Sequence, residues 1–279
     1  MSEARTPAEA IGRTAVRVAA GAVLAFLIAP LLVIVPLSFN ATPFFTFTPE
    51  MLAFKAEGWS WRWYAEILSS AQWRAAAVNS LGLALASTLL ATVLGTLAAL
   101  GLQRADLPGR AALMALLLSP LIVPIVIAAA GMYFFYSALG LANSWAGLVI
   151  AHTVLGVPFV VITVSATLAG FDRTLERAAS SLGAPPHVAF FRVTLPIILP
   201  GVISGALFAF VTSFDEVVTV LFLGGPEQLT VPRQMWAGVR EQLSPAILAV
   251  ATLLTLVAIA LLATVEALRR RSERLRSAA

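Results

Sequence analysis

The chain has 279 residues, of which 59% are hydrophobic and only 11% charged. A soluble domain is about a quarter charged, so the composition excludes an ordinary soluble fold and predicts an all-α polytopic membrane protein. The absence of cysteine excludes a disulfide framework, thiol chemistry and Cys-based metal sites.

Residues 1–14 are polar and form an N-terminal segment. The first span is predicted over 15–39. It is too long and too evenly apolar for a cleaved signal peptide, whose apolar core is about 7–15 residues. Pro30 and Pro36 lie inside it. Residues 40–75 carry Trp59, Trp61, Trp63, Tyr64 and Trp73. Aromatics of this kind gather at the membrane interface, so anchoring is expected there in preference to a ligand cage. A short surface helix is predicted over 57–68.

The second span is predicted over 76–100 and opens with Asn79-Ser80-Leu81. Gly82, Ala84, Ala86, Ser87, Ala91 and Gly95 are small enough to let helices approach closely. A polar turn at 103–110 leads to a third span over 111–137. Pro120 and Pro124 bend or break that span, and freed backbone groups at membrane depth need protein or a cavity to receive them. After an uncharged turn, the fourth span covers 145–168 with His152 and Pro158. An intramembrane histidine is a packed residue bonded to a carbonyl, or a relay or ligand contact. The fifth span is predicted over 200–223, a loop over 224–243, a sixth span over 244–268 and a basic tail over 269–279.

Six spans place both ends on one side. That side collects Arg5, Arg13, Arg17, Arg104, Arg110, Arg173, Arg177, Arg192 and the tail residues Arg269, Arg270, Arg271, Arg274 and Arg276. The other side has only Lys55, Arg62, Arg74, Arg233 and Arg240. Basic residues accumulate on the cytoplasmic side, so both termini and the segment between spans four and five are expected inside. The basic balance is then explained by topology and asks for no nucleic acid.

That inner segment, 174–200, reads T-L-E-R-A-A-S-S-L-G-A-P-P-H-V-A-F-F-R-V-T-L-P-I-I-L-P. It predicts a helix from about Thr174 to Leu182, stopped at Gly183 in the left-handed conformation. Pro186 restarts the chain as a first-turn proline. A second short helix over 187–193 is expected to end before Pro196, with Pro200 opening the fifth span. The bland alternative is an amphipathic loop lying on the membrane, which does not require the glycine stop, the Pro-Pro restart and the closing Leu-Pro together.

Ala178-Ala179, Gly183 and, nine residues later, Val193-Thr194-Leu195-Pro196 resemble the EAA motif of permease subunits of ATP-binding cassette importers. The family's glutamate falls on Arg177, and Glu176 stands one place early. The resemblance implies a cytoplasmic coupling helix-turn-helix over 169–200, within a permease domain over 15–268 whose core is 76–268. It assigns ATPase coupling to Glu176, Arg177, Ala178, Ala179, Gly183, Ala184, Phe190, Leu195 and Pro196. Asn79-Ser80-Leu81 also resembles the start of the family core.

Ser213-Phe214-Asp215-Glu216 interrupts the fifth span. Counted from Pro200, Asp215 lies about 22 Å along a helix. Ionisable groups at such depth mark a pathway or a paired site. At 100° per residue, Gly201, Gly205, Phe208, Thr212, Asp215, Glu216 and Thr219 share one stripe. Two carboxylates and an aromatic face suit a cationic cargo. The alternative is a structural pair, for which no Lys or Arg lies deep in any span of this chain. Phe208, Thr212, Asp215, Glu216 and Thr219 are therefore candidate pathway residues. Ser-Phe-Asp-Glu, Val231-Pro232-Arg233-Gln234-Met235-Trp236 and Ser244-Pro245 resemble the spermidine/putrescine branch of the importer family.

No G-x-x-x-x-G-K-[ST] phosphate loop occurs, so ATP hydrolysis is not expected on this chain. The resemblance implies a transport subunit without cofactor or metal in the bacterial inner membrane. ATP and Mg²⁺ would sit on two partner ATPases. A second, related permease chain and an extracytoplasmic binding protein complete the implied assembly. Two other classes fit the sequence less well. An intramembrane enzyme built on Ser204 and His152 fails because their expected depths differ by more than a hydrogen bond spans. A stand-alone channel needs no coupling loop, and no inverted repeat is evident.

Overall fold

The computed structural model describes residues 7–103, 107–241 and 244–260. Arg5, Arg104, the end of the predicted sixth span (261–268) and the basic tail (269–279) lie outside the described residues. The chain divides into two compact units, Met1–Ser70 with Ala237–Ala279, and Ala71–Trp236. Among the described residues there is no strand, only an isolated antiparallel bridge between Asn40 and Trp59.

The first unit opens with α1, Pro7–Leu37. Its Gly12–Leu37 portion has a mean hydropathy of 2.8, long and apolar enough to cross a membrane. Among the described residues four helices meet that test, or five if the bent pair described below is one span. After α1 comes a small aromatic module with α2 (Pro49–Leu52), a 3₁₀ turn (Ala56–Gly58) and α3 (Arg62–Ser69). The expected continuous helix over 57–68 is thus replaced by a turn and a helix that begins five residues later. Trp63 and Tyr64 are buried. The Trp63 indole donates to the Asn40 carbonyl at 2.6 Å, and the Tyr64 and Ser38 hydroxyls share a hydrogen bond of 2.7 Å. These two aromatics are core anchors, a correction to the interfacial reading, because each polar tip finds a buried partner. Trp61 does stand out, 71% exposed. The short apolar helix α13, Pro245–Ala260, is the described part of the predicted sixth span.

The second unit is built on α4 (Ala71–Leu102), α7 (Trp145–Ala169) and α10 (Leu195–Asp215). The fourth-span prediction is met almost to the residue, since Ser144 caps α7 by accepting from the Gly147 N–H, the ordinary work of an N-cap serine. The third span is broken. α5 (Arg110–Ile122) and α6 (Ile125–Ala138) meet at 106°. Val123 is extended, φ −71° and ψ 129°, as steric conflict with the ring of Pro124 demands.

Small residues bring the three long helices together. A Cβ on Gly95 would lie 2.6 Å from the Val160 Cβ, and one on Gly205 would lie 2.7 Å from the Val160 Cα. At Gly156 a Cβ would meet Ala91 and Ala209, both at 3.1 Å. The small-residue pattern of the sequence therefore does pack helices. Gly205→Val is expected to force α7 and α10 apart, at roughly 1–3 kcal/mol for overpacking. Thermal unfolding in detergent should show a clear fall in Tm. Gly82→Ala is the control, because nothing lies within 4 Å of its added Cβ.

The predicted loop over 224–243 holds a helix, α12, Val231–Glu241. Its backbone start is fixed from elsewhere. The Asn79 amide donates to the Glu227 and Leu229 carbonyls, both at 2.9 Å, and the Ser80 hydroxyl accepts from the Val231 N–H at 2.8 Å. Arg233 donates to the Gly224 and Gly225 carbonyls. Asn79 and Ser80 at the head of α4 thus hold this segment, a role that a composition-based reading of a loop does not reveal.

Candidate functional site

The helical hairpin after α7 begins with a cap. Asp172 accepts from the Thr174 N–H at 2.8 Å and from its hydroxyl at 2.7 Å. These bonds, with the nearby Arg177 charge, hold the exposed Asp172 carboxyl below its usual range. A depressed acid contributes to stability above the ordinary carboxylate range and loses that contribution as pH falls through its lowered value. The Arg173 guanidinium donates to the Gln103 carbonyl.

α8 runs Thr174–Ser181. Gly183 has φ +83°. The Gly183 N–H donates to Ser180 and the Ala184 N–H reaches back to Ala179, both at 3.0 Å. This is the glycine-closed stop expected from the sequence. Pro186 then opens α9, Pro186–Ala189. Glu176 turns inward and accepts from the Thr194 hydroxyl at 2.5 Å, tying α8 to the chain leading into α10. Arg177 and Ala178 are exposed, and Ala179, Ala184 and Phe190 are half-buried. Leu175, Leu182 and Phe191 are exposed apolar side chains on this hairpin.

The expected end of the second short helix before Pro196 does not occur. Residues Phe190–Thr194 form a π turn that passes directly into α10. The Leu195 N–H bonds five residues back to Phe190. Pro196 lacks an N–H and would break an α ladder, but the widened turn takes up the mismatch and the helix continues. Pro200 lies inside α10 and does not open it. The apolar rod therefore runs from Pro186 to Asp215, 30 residues, or about 45 Å.

At its far end the predicted stripe divides. Gly201 and Gly205 are buried, facing Thr163 and Thr167 of α7. Phe208 is 55% exposed and stacks on Phe159, ring centroids 6.1 Å apart. Thr212 is half-buried, and Asp215 is exposed as the last residue of α10. Glu216 is extended, φ −74° and ψ 118°. Its carboxylate accepts from the Thr219 N–H at 2.9 Å, which caps a separate short helix, α11, Val218–Leu223. Thr219 is fully buried. The uniform 100° step assumed for the stripe fails at this break. A carboxylate before the N-terminus of α11 meets a favourable dipole, and this offsets the interruption.

Three polar side chains whose meeting the sequence did not reveal come together beside that break. His152 Nδ1 lies 2.8 Å from the Ser213 Oγ, and Ser213 Oγ lies 2.9 Å from the Ser87 Oγ. His152 is the packed histidine expected from the sequence, and its Nδ1 meets the Ser213 hydroxyl. All three residues are buried. The spacing held a signal: Ser87, His152 and Ser213 each stand four positions from the small residues Ala91, Gly156 and Ala209, the layer where α4, α7 and α10 touch. Among the described residues the His152 Nε2 has no hydrogen-bond partner. Among the described residues no group of three or more acidic or histidine side chains is placed to hold a metal.

The sequence profile of the family described as "Binding-protein-dependent transport system inner membrane component" matches residues 91–276. The chain is 35% identical over 236 residues to the "Putrescine transport system permease protein PotI" of Escherichia coli (strain K12), covering 82% of this chain and 81% of the relative. It is 28% identical over 250 residues to the "Spermidine/putrescine transport system permease protein PotC" of Haemophilus influenzae, covering 90% and 94%. A similarity of 29% over 57% of the chain links it to the "Trehalose transport system permease protein SugB" of Mycobacterium tuberculosis, 58% of which is covered. In fold it is similar to a chain from the crystal structure of a bacterial ABC transporter involved in the import of the acidic polysaccharide alginate. The TM-score is 0.74 at 13% identity, over 95% of this chain and 99% of that one.

Proposed function

This chain belongs to the family of binding-protein-dependent transport system inner membrane components, and from that premise we propose that it carries putrescine, spermidine or a similar organic cation inward. It is the permease subunit of an ATP-binding cassette importer, a transport subunit and not an enzyme. The cargo reading is supported by the similarity to PotI and PotC over most of both chains. A sugar permease shares a shorter part of the sequence, so the fold alone does not choose the cargo.

The observation that carries the mechanism is the unbroken rod from Pro186 to Asp215. At about 45 Å it exceeds the roughly 30 Å hydrocarbon layer, so one end stands in water while the other reaches the acids. In this reading Glu176, Arg177, Ala178, Ala179, Gly183, Ala184, Phe190, Leu195 and Pro196 meet a cytoplasmic ATPase. ATP-driven motion of the hairpin moves α10 as a lever. At its other end Asp215 and Glu216, with Phe208, Thr212 and Thr219 nearby along the chain, face the cargo route. Six spans, both termini inside, a second related permease chain, two ATPases that hold ATP and Mg²⁺, and an external binding protein complete the assembly.

The test is ATP-dependent uptake of labelled putrescine and spermidine by proteoliposomes. They would hold this chain with the ATPase and permease partner that co-purify, plus binding protein. Saturable uptake that vanishes without ATP is the expected result. An active ATPase with no uptake of either amine would overturn the cargo.

A further inference from the structure

His152 Nδ1 and the Ser213 Oγ lie 2.8 Å apart. The Ser87 hydroxyl donates toward Ser213 Oγ at 2.9 Å and also lies 2.8 Å from the Leu83 carbonyl of its own helix. One hydrogen joins His152 Nδ1 and Ser213 Oγ whichever of the two carries it, because a ring nitrogen and a hydroxyl can each donate or accept. The imidazole is thus tied to α10 in either tautomer, and Ser213 is tied to α4 through Ser87.

The node sits where α10 stops. Ser213 is two residues before Asp215, the last residue of α10. On the far side, Thr219 is fully buried and its N–H is held by Glu216. The five residues between these anchors include both carboxylates and the extended break. Their position is set by where Ser213 is held at one end and Thr219 at the other.

We propose that His152 is a positioning residue for cargo transport, which through the hydrogen bond between its Nδ1 and Ser213 fixes the end of α10 and so places Asp215 and Glu216. This rests on the reading of those carboxylates as part of the cargo route. It assigns His152 no contact with the cargo. Apolar packing alone does not replace it, because an apolar side chain leaves Ser213 without its hydrogen-bond partner on α7.

The chain has no cysteine, so Val217→Cys supplies its one thiol at the break. The experiment uses the assembled transporter and two readouts: the rate of N-ethylmaleimide labelling at position 217, followed on the peptide, and KM for putrescine. His152→Leu and Ser213→Ala should each change the labelling rate several-fold, about 5-fold or more, as the local structure opens more readily. Both should raise KM about tenfold with a smaller effect on the maximal rate. His152→Asn, whose amide can donate or accept near the Nδ1 position, should restore both readouts to within about 2-fold. Unchanged labelling and KM in both His152→Leu and Ser213→Ala would overturn the proposal. So would His152→Asn behaving as badly as leucine, because packing would then be the cause. Altered labelling with unchanged KM would overturn it by a different route: the tie to α10 would stand, and the cargo-route reading would fall.

Discussion

Gly183→Val is expected to cut ATP-dependent uptake about tenfold or more while the ATPase continues to hydrolyse ATP. Gly183 sits at φ +83°, and an added Cβ would meet nothing within 4 Å. The effect is therefore conformational and involves no clash. A left-handed backbone costs a residue bearing a Cβ roughly 1–2 kcal/mol, and β-branching makes it worse. About 1.4 kcal/mol is a factor of ten in a population. The two backbone bonds that close the turn, Gly183 to Ser180 and Ala184 to Ala179, would open in most molecules. α8 would lose its fixed angle to α9 and to the rod beyond it. Gly183→Asn is the internal control, because asparagine tolerates this conformation. It should keep most of the uptake. Paired measurement of uptake and phosphate release in proteoliposomes separates uncoupling from misassembly. Normal uptake by the valine variant would remove the hairpin from the coupling path.

Asp215→Asn and Glu216→Gln are each expected to raise KM for a polyamine about tenfold, near 1.4 kcal/mol of lost attraction. Both substitutions keep shape. Asn at the C-terminal end of α10 removes a negative charge from the unfavourable pole of the helix, which if anything favours the helix. Gln keeps a carbonyl that can accept from the Thr219 N–H, so α11 retains its cap. Loss of affinity would then report charge and not folding. The measurement is the concentration dependence of labelled spermidine uptake, with yield and thermal stability compared alongside. An unaltered KM in both variants would take the two acids off the cargo route and leave Glu216 with its structural role alone.

The ends of α7 were legible because Ser144 and the apolar run after it carry local instructions for capping and burial. The stop at Gly183 was legible for the same reason: backbone preferences of glycine and proline act within a turn. The stripe along the fifth span was not. Its expectation applied one helical period from Gly201 to Thr219, whereas the chain leaves the helix at Glu216. That break depends on Glu216 capping α11 and on Thr219 and Val220 being buried. The prolines misled in the opposite direction. Pro196 and Pro200 read locally as boundaries, yet the π turn at Phe190–Thr194 and packing of Ile198 in the core carry the helix through them.

By itself the sequence determined a membrane-embedded, all-helical chain, the apolar runs, and the hairpin whose motif marks an importer permease. Those features depend on composition and on preferences that operate over a few residues. Tertiary structure alone decided that α9, the π turn and α10 form one rod, that α5 and α6 meet at 106°, and that Trp63 and Tyr64 face a core. It also brought Ser87, His152 and Ser213 into one chain of hydrogen bonds. These residues are separated by 126 positions between the two serines. Polar groups that must pair away from water find partners only when distant helices pack, and no local period records that meeting.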